Sequence, residues 1–168
     1  MMKFQKMKGQ KMKGLAITHK GIEDITSLEI SEILGCKTLV NECCVEFDIK
    51  SQEELAKVCY FGQSEIKIIY LLDSFKIDSL EDLDKNIIKS LAGIKEFITP
   101  KRSFAVRALI EENGAYETDE ICIEVADSMK LDNKVNLKNP DVILFVYIYK
   151  DNCYLGIDFS GEDLSKRE

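Results

Sequence analysis

The sequence has no tryptophan, one histidine and two prolines, and arginine supplies only three of its 23 basic residues. A single histidine is too few for the usual zinc ligand sets, and none of the six cysteines forms a C-x-x-C pair. His19 has no nucleophile beside it in the sequence and is interpreted as a loop or core residue. We therefore expect no metal site, and we predict reduced thiols in a cytoplasmic protein.

Two other classes of motif are missing. Neither GxGxxG nor GxxxxGK[ST] occurs, so the sequence offers no phosphate-binding loop of those types. No apolar run approaches the roughly 18 residues that a transmembrane helix needs, and the amino terminus lacks the apolar stretch of a signal peptide. The chain is expected to have no membrane contact and no catalytic residues of its own.

The formal net charge is −7, but the charges are segregated along the chain. Residues 1–20 carry six lysines and no acid, and acids concentrate at 79–84 and 111–120. Two further segments, 97–110 and 133–140, carry only basic charges: Lys101, Arg102, Arg107, Lys134 and Lys138. Because phosphate binding needs only a local basic patch, the negative total does not exclude a nucleic-acid partner.

The first half of the chain predicts a βαββαβ order, which is typical of a ferredoxin-like domain. Strands are expected at 15–18, in two parts of 38–49, and at 66–72, with helices at 22–34 and 52–61. The first helix is predicted to bury a stripe that includes Ile25 and Ile30, with Leu28 off the stripe. Ser51 with Glu54 has the spacing of a helix-capping box.

The second half predicts a mixed α/β unit. Helices are expected at 79–91, capped by Ser79, and at 119–130, capped by Thr118. Strands are expected at 102–110, 134–137, 142–149 and 153–159. Together the halves predict an α+β (mixed α/β) protein. Its parts are a flexible lysine-rich tail (1–13), a ferredoxin-like domain (14–77), a second domain packed on it (78–165) and the start of a linker (166–168).

Asn139-Pro140-Asp141 is similar to the start of the Asn-Pro-Pro-aromatic loop of amino-methyltransferases. Here the third residue is acidic and the fourth is Val142, so the aromatic stacking partner is missing. Proline fixes φ and favours an extended residue before it. The tripeptide is therefore interpreted as a structural turn.

Four segments resemble the THUMP domain of RNA-modifying enzymes in order and spacing: FAVRA (104–108), YETDEI (116–121), KVNLKNPDV (134–142) and YLGIDFSGEDLSKRE (154–168). GIEDITSLEI (21–30) is similar to the start of THUMP-bearing RNA guanine-N2 methyltransferases, and the archaeal tRNA enzymes look most alike. The resemblance covers roughly residues 14–167. In such proteins a Rossmann-like domain that binds S-adenosylmethionine follows, and this sequence stops before it.

The resemblance implies a module that binds the acceptor end of tRNA for a methyltransferase domain in cis or in trans. It implies phosphate contacts for Lys101, Arg102, Arg107, Lys134 and Lys138, and a hydrogen bond from Asn139. Family members usually carry Arg, Gly and His where this chain has Ile110, Glu112 and Gly114. We therefore expect weak, micromolar or poorer, RNA affinity.

Two alternatives stay open. The chain is either part of a methyltransferase or a stand-alone adaptor that docks a modifying enzyme, such as a tRNA cytidine acetyltransferase. A small-ligand domain of ferredoxin-like type rests on architecture alone.

Overall fold

The computed structural model describes residues 12–160, which divide into two compact units. The first unit contains the described residues up to Leu71 together with 158–160, and the second runs from Leu72 to Ile157. The division falls inside a long strand, β4 (Glu65–Lys76), slightly before the predicted boundary near residues 75–78. Of the predicted tail, residues 1–11 lie outside the described residues, as does the predicted linker, whereas Met12 and Lys13 belong to the first strand.

The first unit confirms the predicted βαββαβ order. Its elements are β1 (Met12–Thr18), α1 (Glu23–Leu34), β2 (Thr38–Asn41), β3 (Cys44–Ile49), α2 (Gln52–Phe61) and β4. The strands are antiparallel neighbours in the order β2-β3-β1-β4, which is the ferredoxin-like arrangement.

The predicted apolar stripe of α1 is partly wrong. Ile30 is buried, but Ile25 is 59% exposed and Thr26 is buried instead. The Thr26 hydroxyl donates to the Thr18 hydroxyl at 2.9 Å, and it also bonds the Ser64 hydroxyl at 2.8 Å. A buried hydroxyl is tolerated here because its hydrogen-bonding capacity is satisfied, which hydrophobic periodicity cannot anticipate.

The second unit contains α3 (Leu80–Phe97), β5 (Phe104–Glu111), α4 (Thr118–Met129), β6 (Val142–Tyr149) and β7 (Asn152–Asp158). β6 lies between β5, which is parallel to it, and β7, which is antiparallel. Every residue of β6 except Ile143 is buried, as the continuous apolar run VILFVYIY predicts. α3 and α4 bury Leu83, Ile87, Ile94, Ile121, Val125 and Met129.

Three local predictions for this unit need correction. Residues 134–137 do not form a strand, since only Val135 makes a bridge, to Phe104. Thr118 is the first residue of α4 and not its cap, and Glu117 precedes the helix without a side-chain capping bond. α3 continues six residues beyond the predicted end, because Ile94 and Phe97 are buried and outweigh the low helix propensity of Gly93.

Of the two predicted helix caps at serine, one is confirmed and the other is wrong. Ser79 caps α3 as predicted, accepting the Asp82 N–H at 3.4 Å. The capping box at Ser51 is not formed by side chains, because Glu54 instead accepts the Lys50 N–H at 2.7 Å. None of the six cysteines forms a disulfide. Burial, followed by the charge of Asp73, raises the pKa of Cys153. No helix in residues 12–160 has the length and apolarity to cross a membrane.

An acidic cluster joins α3 to α4. The Ser128 hydroxyl donates to the Asp84 carboxylate and to the Glu124 carbonyl oxygen. The Glu124 carboxyl lies in hydrogen-bonding contact with Asp84, and this contact, followed by desolvation and repulsion from neighbouring acids, raises the pKa of Glu124 above its ordinary value. Glu124 is therefore protonated more readily in the folded protein than in the unfolded chain.

We expect Gly14→Ala to lower the free energy of unfolding by about 1–3 kcal/mol, because an added methyl overpacks the core. A Cβ at Gly14 would lie 2.8 Å from the Leu55 Cδ2 and 2.6 Å from the Phe47 Cε2. Urea denaturation measures the change. Gly114→Ala is the matched control, because a Cβ there meets nothing within 4 Å. Equal stability of the two variants would contradict the close packing at Gly14.

We expect Glu124→Gln to be more stable than the parent at pH 7. The pKa of Glu124 is higher in the folded parent than in the unfolded parent. Protonated Glu124 therefore stabilises the parent fully at pH below the unfolded pKa, and this stabilisation is lost as pH rises through the folded pKa. The higher stability of the variant should therefore vanish below about pH 4, where Glu124 is neutral in both the folded and the unfolded parent. Thermal melts across pH measure it, with Asp132→Asn in an exposed loop as the control for net charge. A gain that does not change with pH would refute the raised pKa.

Candidate nucleic-acid interface

Two loops of the second unit meet at the amino ends of β5 and β6. β5 and β6 are parallel and in register from Phe104 opposite Val142, so the segments that precede them emerge side by side. These segments are residues 99–103 and 131–141, and we call them the two-loop surface. It lies wholly within the unit that runs from Leu72 to Ile157.

Side chains of the second loop hold the first loop in place. The Asn133 amide donates to the carbonyl oxygens of Thr99 at 2.7 Å and of Arg102 at 3.0 Å. The Asp141 carboxylate accepts the Ser103 N–H at 2.9 Å and the Ser103 hydroxyl at 3.2 Å, and the Asp141 N–H donates back to that hydroxyl at 3.0 Å. The two-loop surface is thus ordered by reciprocal hydrogen bonds.

The backbone adds to this junction. The Phe104 N–H donates to the Lys134 carbonyl at 3.1 Å, and the Asn136 N–H donates to the Phe104 carbonyl at 3.0 Å. These two bonds surround the bridge at Val135 and fix Lys134 against the start of β5. The short KVNL segment is therefore a positioning element for its lysine.

The structure brings four of the predicted phosphate-binding side chains onto this surface. Lys101, Arg102, Lys134 and Lys138 are all exposed, and none forms an ion pair with a carboxylate within residues 12–160. The carboxylates of the two loops are those of Asp132 and Asp141, and Asp141 is occupied by Ser103. Ammonium and guanidinium groups that lack carboxylate partners suit charge-assisted hydrogen bonds to phosphate oxygens.

Of the other two predicted residues, Arg107 lies beside the two-loop surface and Asn139 lies within its second loop. Arg107 lies on β5, is half-buried, and donates from Nη2 to the Leu137 carbonyl at 3.3 Å. This bond ties its guanidinium to the margin of the two-loop surface. Asn139 has an exposed side chain, while its backbone N–H donates to the Asn136 Oδ1 at 3.0 Å.

Four residues that no sequence pattern marked as binding residues hold this surface: Ser103, Asn133, Asn136 and Asp141. The Asn136 Oδ1 accepts backbone N–H groups from Lys138 and Asn139, the pattern of an Asx turn. The asparagine-rich run before Pro140 was the available signal, since Asn side chains commonly bond nearby backbone. Asp141 completes Asn139-Pro140-Asp141 as a structural turn.

The rest of the second unit has the opposite charge. The exposed first turn of α4 presents Asp119 and Glu120, and Asp127 is exposed on the same helix. Burial, followed by the charges of Asp78, Asp82 and Glu120, raises the pKa of Tyr116. A polyanion approaching this unit is repelled from α4 and attracted to the two-loop surface.

The three positions that depart from the THUMP pattern lie at the end of β5 and after it. Ile110 is half-buried, while Glu112 and Gly114 are exposed. Glu112 has φ +54°, in the left-handed region that favours glycine. The backbone conformation at Glu112 therefore suits glycine better than glutamate, and the Glu112 side chain adds a carboxylate just after β5.

Comparison with curated proteins finds two similar methyltransferases. The chain is 26% identical over 156 residues to the ribosomal RNA large subunit methyltransferase K/L of Dichelobacter nodosus, covering 88% of this chain and 21% of that protein. It is also 26% identical over 156 residues to the tRNA (guanine(6)-N2)-methyltransferase of Archaeoglobus fulgidus, covering 85% and 38%. The chain thus spans less than two fifths of either relative.

Solved structures share the fold. A possible methylase from Clostridium difficile 630 superposes with a TM-score of 0.74 at 17% identity, over 94% of this chain and 43% of that one. A 4-thiouridine synthetase, solved as an RNA complex with bound ATP, gives a TM-score of 0.57 at 15% identity, over 89% and 41%. Residues 78–158, which include the two-loop surface, match the THUMP family of domains. The chain therefore contains a THUMP domain, preceded by a ferredoxin-like unit of the βαββαβ type.

Proposed function

We propose that this chain is the RNA-binding module of a tRNA-modification system. The observation that carries the proposal is the two-loop surface, where four exposed cations, with Arg107 at the margin, lack carboxylate partners within residues 12–160. The chain has a net charge of −7, yet hydrogen bonds hold this basic surface in place without neutralising it. Such a surface suits a polyanionic ligand.

The THUMP domain and the two methyltransferase relatives support RNA as that polyanion. The finer proposal is that the module holds the acceptor region of tRNA and presents a guanine to a methyltransferase domain, supplied in cis or in trans. That domain would bind S-adenosylmethionine and transfer the methyl group to N2. The described residues have a different task, which is to bind phosphates and fix the orientation of the RNA in the cytoplasm.

The proposed contacts read shape and phosphate positions. Lys101, Arg102, Lys134 and Lys138 would bind phosphate oxygens, with Arg107 at the margin and the exposed Asn139 amide adding a hydrogen bond. Side chains of this kind reach the backbone of an RNA helix or its unpaired end without reading base pairs. Because the phosphate contacts are few and Glu112 adds a carboxylate close to the end of β5, we expect micromolar or poorer affinity for RNA.

We expect the chain to bind deacylated tRNA with an affinity that falls as salt rises. Lys134→Ala with Lys138→Ala should weaken binding and reduce the slope of log K against log salt by about 1.4–1.8, since each phosphate contact contributes about 0.7–0.9. Fluorescence anisotropy with labelled tRNA measures both quantities.

The matched control for this pair is Lys85→Ala with Lys89→Ala. Both lysines are exposed on α3, so the control removes the same two charges from another surface. Binding with no salt dependence, no binding at low salt, or equal losses in the two variants would refute the proposal. In the first two cases, an adaptor that docks a modifying enzyme remains to be tested by co-purification after nuclease treatment.

We expect Asp141→Ala to weaken tRNA binding even though it removes a negative charge. The carboxylate accepts two hydrogen bonds from Ser103, so its loss releases the first loop and the cations on it. Asp132→Ala is the matched control, because it removes the same charge from an exposed position and should strengthen binding slightly. If both variants bind more tightly than the parent, charge alone governs affinity and the scaffold role of Asp141 is wrong.

A further inference from the structure

The outer edge of β5 carries backbone groups that nothing in residues 12–160 occupies. β6 bonds the odd-numbered residues, since the Val142 N–H donates to the Ser103 carbonyl and the Lys150 N–H to the Glu111 carbonyl. Successive residues of a strand direct their backbone groups to opposite sides. The groups of Val106, Ala108 and Ile110 therefore point to the outer edge.

Within residues 12–160, the backbone of this edge is hydrogen-bonded only at its start. The outward N–H and C=O of Phe104 bond Lys134 and Asn136, and Asn136 then closes a turn onto Lys138 and Asn139. Natural edge strands are usually protected by lysine, proline or a bulge. β5 has the sequence FAVRALIE, which contains neither lysine nor proline, and it pairs with β6 without a register shift. Such an edge is competent to accept another strand.

We propose that this edge pairs antiparallel with the same edge of a second copy of the chain, about a two-fold axis at Leu109. In this register Ala108 of each copy faces Ile110 of the other, and both residues have outward backbone groups, so four hydrogen bonds form between the copies. Leu109 faces its own counterpart in a non-hydrogen-bonded pair, where side chains approach most closely.

Charge complementarity selects this register. With the axis at Leu109, each Arg107 faces Glu111 of the other copy, which gives two opposite-charge pairs flanking an apolar contact. Moving the axis to Ala108 would place Arg107 opposite Leu109 and leave the charges unmatched. A two-fold interface brings the same strand of each copy together. Arg107 lies two residues before the axis and Glu111 two residues after it, so each meets the opposite charge on the other copy.

Both charged side chains are already oriented, and each retains free bonding capacity. Glu111 accepts the Tyr147 hydroxyl on Oε1 at 2.8 Å, which leaves Oε2 available. Arg107 uses Nη2 for the Leu137 carbonyl and keeps its other donors. A single pair of short strands buries little surface, so the dimer is weak and depends on concentration. Because Arg107 also borders the two-loop surface, self-pairing and RNA binding compete for this side chain.

Sedimentation velocity of the full chain from about 5 to about 500 micromolar tests the proposal. The parent should show a monomer–dimer equilibrium in this range. Arg107→Glu alone and Glu111→Arg alone should each weaken dimerisation by at least about tenfold, because like charges then face each other. An equimolar mixture of the two variants should dimerise again, because every facing pair then joins an acid to a base.

Three outcomes would overturn the proposal: a monomeric parent at the highest concentration, single variants that dimerise as the parent does, or a mixture that stays monomeric while the parent dimerises. Circular dichroism checks that each variant is folded. Leu109→Asp provides a second route, since it places two carboxylates at the axis and should abolish the dimer. Ile88→Asp, at a side chain that is 62% exposed on α3 and away from the β5 edge, should leave the dimer intact.

Discussion

The parallel, in-register pairing of β5 with β6 is the constraint on which the functional part of the molecule depends. Because both strands start at the same end, the loops that lead into them are brought together, although residues 104–130 lie between these loops in the sequence. The same pairing leaves β5 at the edge, with its alternate backbone groups directed outward. One ladder of hydrogen bonds therefore creates both the two-loop surface and the strand edge beside it.

The distribution of charge then divides the second unit into faces with different chemistry. The Ser103–Asp141 and Asn133 bonds use neutral groups and one carboxylate to order the loops, so the cations remain available. Acids gather on α3 and α4, where proximity raises the pKa of Glu124. Within residues 12–160, these acids repel a polyanion from the two helices, and the cations of the two-loop surface attract it. The net charge of the sequence and its proposed RNA ligand are thus compatible.

Much of this arrangement follows from the sequence. Apolar periodicity located the helices and the buried strand VILFVYIY, because those patterns act over short range. Where predictions from the sequence were wrong, the burial of particular side chains explains the difference. α3 extends past Gly93 since Ile94 and Phe97 are buried, and Thr26 replaces Ile25 in the core because its hydroxyl is bonded. The basic residues were identified by their segregation, whereas Asn133 and Asp141 were missed because their partners lie about thirty or more residues away.

The central claim is that RNA binds the two-loop surface, and chemical-shift mapping tests it most directly. A uniformly ¹⁵N-labelled chain titrated with a tRNA acceptor-stem minihelix reports which backbone amides sense the RNA. If RNA binds the two-loop surface, the largest, salt-sensitive shifts will fall on residues 99–103 and 131–139, and α4 will be unaffected. Shifts centred on α4, or spread evenly over the second unit, would contradict it.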